Sequence, residues 1–79
     1  MERTEITNVL TAIFRKILAK DTLILSDNLT ANDVENWDSL THMLLISEIE
    51  TEFSIKFKLK DLNKMRNVGD MIETIISKL

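Results

Sequence analysis

The sequence predicts an all-α bundle of three main helices and one short helix, with a long first loop. Three observations carry that prediction. Apolar residues recur at helical spacing in long stretches near both ends. The 79 residues include no proline and one glycine, which favours uninterrupted helices over a turn-rich β-sandwich. The one strand-like stretch has no second strand to pair with. A chain this short buries roughly 60–65% of its unfolded surface. That supports a single domain, residues 1–79, with one core and little room for a deep enclosed active site.

Ile6, Val9, Leu10, Ile13, Phe14, Ile17 and Leu18 follow i, i+3, i+4 spacing and place the first helix over Thr4 to Ala19. Thr4 is its expected N-cap, and Glu5 suits the positive end of the dipole. From Asp21 to Trp37 the periodicity vanishes into turn and cap formers. Thr30 to Asp33 suits one short helical turn, while Leu23, Leu25 and Leu29 are expected to pin the loop to the core. Asp38 is the expected N-cap of a second helix running to about Phe53. At about 100° per residue, Leu45, Ile46, Ile49 and Phe53 share one face, and Leu40, Met43 and Leu44 fall nearly opposite. One face packs on the first helix, and the other stays partly exposed.

The stretch Ser54-Ile55-Lys56-Phe57-Lys58-Leu59-Lys60 alternates like a strand. Without a partner it reads as an extended connector, followed by a short helix over Lys60 to Met65 with Leu62 and Met65 inward. Val68, Met71, Ile72, Ile75, Ile76 and Leu79 mark the last helix, Asn67 to Leu79. Asn67 and Asp70 form a capping-box pair.

Composition narrows function. With no cysteine, the chain has no disulfide, no thiolate nucleophile and no cysteine zinc site. The net charge of −3 disfavours a nucleic-acid partner. No apolar run approaches the roughly 20 residues of a membrane span. The start Met-Glu-Arg-Thr-Glu lacks a signal-peptide layout, so the expected location is the cytoplasm. One histidine and dispersed carboxylates make no metal site; Glu48, Glu50 and Glu52 spread around the helix. Asp38, Ser39 and His42 contain the residue types of a hydrolase triad. The structural reading is stronger: Asp38 caps, Ser39 opens the helix, and His42 projects to the core side with Ile46 and Ile49 as a packed, hydrogen-bonded histidine rather than a base. A triad also needs an oxyanion hole and a cleft. No catalytic residue is assigned.

Trp37-Asp38-Ser39-Leu40-Thr41-His42, then Glu48-Ile49-Glu50-Thr51-Glu52-Phe53 and Ile55-Lys56-Phe57, form a pattern that resembles the acyl carrier protein family. Val68-Gly69-Asp70-Met71 resembles the start of that family's last helix. The resemblance spans the chain and is strongest from Asp33 to Phe57. It implies a four-helix carrier fold, with Ser39 carrying covalent 4′-phosphopantetheine that a separate phosphopantetheinyl transferase moves from coenzyme A. It implies that Asp38 helps that transferase engage its magnesium and the serine. Leu40 then lies in the docking contact for acyl-loading and acyl-transfer enzymes.

The residues support this placement. A helix N-terminus suits a phosphodiester, and Leu40, Met43 and Leu44 form an apolar patch beside Ser39. Glu48 borders the patch, giving an acidic rim suited to basic enzyme surfaces. Met43, Met65 and Met71 could contact an acyl chain, although core filling is their simpler role.

The implied protein is a monomeric carrier of acyl thioesters in fatty-acid, polyketide or related biosynthesis, not an enzyme. An aminoacyl or peptidyl carrier, including the D-alanyl type, would use the same serine. An unmodified helical interaction module is the reading from another class. Val34-Glu35-Asn36-Trp37 replaces a Gly-containing step common in fatty-acid carriers and resembles carriers of specialised pathways. Charge is also segregated: Asp27 to Ile55 holds seven acids and no base, whereas Lys56 to Arg66 holds five bases and one acid.

Overall fold

Glu5 sets where the first helix begins. In the computed structural model, which describes residues 1–79, the Glu5 carboxylate reaches back three residues and accepts from the Glu2 amide at 3.0 Å. Helix α1 therefore spans Arg3–Leu18 with Glu2 as its N-cap, not Thr4. Its C-cap, Ala19, is left-handed at φ 54°, and the Lys20 amide bonds back to the Arg15 carbonyl. A 3₁₀ turn follows at Ala31–Asp33, where the Asp33 carboxylate accepts from the Thr30 amide.

Helix α2 spans Ser39–Phe53 and has Asp38 as its N-cap, as expected. The extended connector is also as expected: Ser54 is left-handed, and residues 55–58 carry no strand. Glu50 secures this connector by accepting from the Phe57 amide at 2.8 Å. Helix α3 is Leu59–Asn63 rather than Lys60 to Met65. Asp61 explains its early start, because its carboxylate accepts from the Lys58 amide at 2.8 Å. Leu62 and Met65 are half-buried, and the buried residue of this segment is Asp61 itself. Its carboxylate lies 2.7 Å from Lys78 Nζ, which ties α3 to the far end of the last helix. That pairing and the Lys58 amide hold the Asp61 carboxyl below the usual carboxylate range.

Helix α4 is Val68–Lys78. The capping-box expectation holds by half. Asn67 accepts from the Asp70 amide at 2.8 Å, but the Asp70 carboxylate turns to the Arg66 amide at 3.3 Å.

Helix α1 packs against both α2 and α4. Ile6, Leu10 and Phe14 of α1, Leu45 and Ile49 of α2, and Met71, Ile72 and Ile75 of α4 form the centre of one core. Trp37 joins them from the loop, edge-on to Phe14 with centroids 5.0 Å apart. Leu23, Leu25 and Leu29 pack on this core and pin the long loop. The loop also docks on the start of α4. The Gly69 amide donates to the Asp27 carbonyl at 2.9 Å, and Val68 to that of Leu29 at 3.0 Å. A Cβ at position 69 would lie 3.1 Å from that Asp27 oxygen, so the sole glycine stands where two backbones approach closely. Arg3 adds a two-pronged bond to the Asp27 carboxylate. The outcome is a fixed platform ending at Trp37, immediately before α2.

Candidate functional site

Asn36 turns the chain into α2. Its φ of 75° lies in the left-handed region, which asparagine tolerates better than most residues. Its side-chain amide donates to the Leu18 carbonyl at 3.2 Å, and its carbonyl accepts from the Thr41 hydroxyl at 2.6 Å. The sequence step Val34-Glu35-Asn36-Trp37 thus reaches a glycine-favouring conformation without glycine. Asn36→Gly keeps the backbone conformation and should lose only the Leu18 bond, about 1 kcal/mol. Asn36→Val should lose a further ~1–2 kcal/mol, measured by urea unfolding, because a β-branched side chain is strained there.

Asp38 is committed to capping. Its Oδ1 accepts from the Leu40 and Thr41 amides, each at 3.0 Å. Thr41 returns a bond from its hydroxyl side, accepting from the Asp38 amide at 2.9 Å. The Thr41 amide is the main cause holding the Asp38 carboxyl below its ordinary pKa, with the Thr41 hydroxyl and the Leu40 amide adding to it. A negative Asp38 therefore stays charged next to Ser39 and fixes the first turn.

Ser39 is the first residue of α2 and is exposed; its hydroxyl has no hydrogen-bond partner in the chain. It borders an open groove of about 660 Å³. Trp37, Asp38, His42, Met43, Met65 and Arg66 line it. Ala31 and Asn32 of the 3₁₀ turn complete the lining.

His42 is half-buried and hydrogen-bonded, as expected of a packed histidine. Its Nδ1 accepts from the Trp37 indole N–H at 3.1 Å, and the two rings stack with centroids 6.2 Å apart. No hydrogen bond joins Ser39 to His42 or His42 to Asp38, so the three do not assemble as a relay. Burial pushes the His42 pKa down. The unfolded chain therefore takes up this proton at higher pH than the folded one. Stability should fall as pH drops below about 6.5, until the folded histidine also protonates. Thermal melts between pH 7 and 5 should show this slope in the wild type and a flatter one in His42→Gln.

Leu40 is 73% exposed, Met43 53% and Leu44 49%, so the apolar patch expected beside Ser39 is present. Glu48 is different. Its carboxylate lies 2.7 Å from Lys16 Nζ on α1, turned toward a neighbouring helix instead of standing as a free rim charge. Met71 fills the core, whereas Met43 and Met65 line the groove. The sequence reading missed the Trp37–His42 bond, the Lys16–Glu48 pair and the groove-lining Asn32 and Arg66. Only the five-residue spacing of Trp37 and His42 hinted at any of these.

The residues fit a pantetheine arm. An unbonded, exposed hydroxyl sits at the positive end of a 15-residue helix. The adjacent groove is apolar at Trp37, Met43 and Met65, polar at Asn32, anionic at Asp38 and cationic at Arg66. A family model described as a phosphopantetheine attachment site matches residues 8–75. Among solved structures, the chain is similar to the solution NMR structure of a holo acyl carrier protein from Geobacter metallireducens. The two are 42% identical with a TM-score of 0.86, over 91% of this chain and 83% of that one. A search of curated proteins gives no match. On the extent of the family match and the shared fold, the chain belongs to the acyl carrier protein family, whose members carry 4′-phosphopantetheine as their prosthetic group.

Proposed function

We propose that Ser39 is the attachment point and that residues 1–79 act as one carrier domain. One observation carries this reading: an unbonded, exposed serine hydroxyl opens α2 beside an open groove. A separate phosphopantetheinyl transferase moves the group from coenzyme A onto Ser39 Oγ. Asp38 holds the first turn of α2 in register and keeps a carboxylate within reach of the transferase and its magnesium. Once attached, the arm supplies a thiol that holds an acyl group as a thioester.

The chain's own residues then position and present. The helix dipole favours the negative phosphodiester at Ser39. Met43, Met65 and Trp37 offer apolar contact to the arm. Leu40, Met43 and Leu44 give partner enzymes a small apolar footing. The acyl group is processed by those partners in fatty-acid, polyketide or related biosynthesis, and the carrier is not itself the catalyst. Tethering raises the local concentration of cargo at each partner's active site. No helix is long and apolar enough to cross a membrane. The working place we assign is the cytoplasm, and the working state is a monomer.

The test is incubation of the protein with a broad-specificity phosphopantetheinyl transferase and coenzyme A. Intact mass should rise by one phosphopantetheine. An unchanged mass would leave the chain an unmodified helical module.

A further inference from the structure

We infer that His42 is a binding residue for the prosthetic arm: its Nε2–H, held in place by Trp37, donates a hydrogen bond to an amide carbonyl of the pantetheine lying in the groove. This rests on the carrier reading above. It gives a role to the one histidine of the chain, which attachment at Ser39 leaves unused. An indole nitrogen can only donate. Trp37 Nε1–H donates to His42 Nδ1 at 3.1 Å, so Nδ1 supplies the acceptor lone pair and the proton of the neutral ring sits on Nε2. Burial lowers the His42 pKa, which keeps the ring neutral at pH 7 and this tautomer in force.

The ring is also fixed as a body. It stacks on Trp37 with the planes 19° apart, and Trp37 stands edge-on against the fully buried Phe14. Nε2 makes no hydrogen bond within the chain, and no buried side-chain nitrogen is left without a partner, so Nε2 opens to solvent. The groove beside Ser39 is the concavity that His42 lines. Ser39 and His42 are three residues apart on α2 and are therefore neighbours on one face of the helix. An arm leaving Ser39 and entering the groove meets His42 one turn in.

The other polar groups of the groove are not held in this way. Asn32 is exposed, and the Arg66 side chain is 85% exposed with a loose 3.6 Å pairing to Asp70. Asp38 is committed as a cap, and as a carboxylate it only accepts. His42 therefore offers a neutral donor whose direction is set before the arm arrives, and a preset donor loses little freedom on binding. Its complement on the arm is a carbonyl oxygen, which pantetheine carries in its amide links. Met43 and Met65 line the same groove and suit the hydrocarbon segments between those amides.

The test compares apo-protein with holo-protein whose modification is first verified by intact mass. A chain that takes no arm fails the carrier reading, whereas a modified chain with an unchanged His42 fails this one. The chain holds one histidine and one tryptophan, so their side-chain NMR signals identify themselves. At pH 7, nitrogen shifts should show Nδ1 unprotonated and Nε2 protonated in both forms. Attachment should slow water exchange of the Nε2 proton about fivefold, the factor an ordinary net hydrogen bond supplies, and should shift an amide carbonyl of a carbon-labelled arm. The side chain in His42→Asn can still accept from Trp37 but cannot reach the Nε2 position. In that holo variant the Trp37 indole signal should persist and the carbonyl shift should disappear. The apo–holo comparison on the wild type stands whether or not the variant folds. An Nδ1–H tautomer, an exchange rate unchanged by the arm, or a carbonyl shift that survives in His42→Asn overturns the inference. So does protection that arises only once the thiol carries an acyl group, which would assign the donor to the cargo's carbonyl.

Discussion

Ser39→Ala is expected to abolish phosphopantetheine attachment while leaving the fold intact. The two halves of that result have separate causes. Ser39 Oγ is the proposed acceptor, and alanine offers no oxygen, so the mass gain should vanish rather than diminish. The side chain is exposed and makes no hydrogen bond, and alanine is the best helix former. Stability should change by less than about 0.5 kcal/mol, as for other surface sites away from special features. Asp38 still caps through the Leu40 and Thr41 amides, so α2 keeps its start. Circular dichroism and a urea melt measure the fold, and intact mass measures attachment. A variant that is still modified would move the site elsewhere.

Phe14→Ala is expected to do the reverse and remove stability. Phe14 is completely buried at the meeting of α1 and the loop, and its ring supports Trp37 edge-on. Truncating a buried phenylalanine costs about 3–5 kcal/mol, the lost transfer energy plus the cavity left behind. A domain of this size holds on the order of 4–12 kcal/mol in total. The variant should therefore lose a large share of its stability, with a melting temperature at least about 12 °C lower. Trp37 immediately precedes Asp38, so the loss is also felt at the site. Trp37 should lose its ordered stacking on His42, seen as weaker near-ultraviolet circular dichroism before global unfolding. A variant melting within a few degrees of the wild type would show that the loop is held by Leu23, Leu25 and Leu29 without Phe14.

What the sequence made legible follows from periodicity. The apolar stripes of α1 and α4 and the two faces of α2 each depend on residues within one helix, and a single helix can be read locally. Asp38 capping α2 is equally local, since its partners are two and three residues away. The start of α1 shifted because Glu5 reaching back to Glu2 displaced the Thr4 cap, a choice between two plausible local caps. The features that escaped are pairings across the fold. Glu48 looked like a free rim charge until α1 brought Lys16 to it. Asp61 counted only as the one acid among five bases until α4 brought Lys78 to it. His42 was expected as a packed, hydrogen-bonded histidine, but its partner, the loop residue Trp37, was not legible. Sequence spacing fixes the direction in which a side chain leaves its helix. It does not fix what the rest of the chain has placed there.

The same distinction changes the meaning of charge. The run from Asp27 to Ile55 is strongly acidic in sequence, and three of its seven carboxylates have cationic partners, Asp27 with Arg3, Glu35 with Lys20 and Glu48 with Lys16. The lysines after α2 are fewer but uncommitted.

The most direct test of the central claim is to locate the modification. Transferase-treated protein is digested and its peptides are sequenced by tandem mass spectrometry. One phosphopantetheine on Ser39, and on no other hydroxyl, is the predicted result. A protein that stays unmodified, or carries the group on a residue such as Thr41 or Ser47, would contradict it.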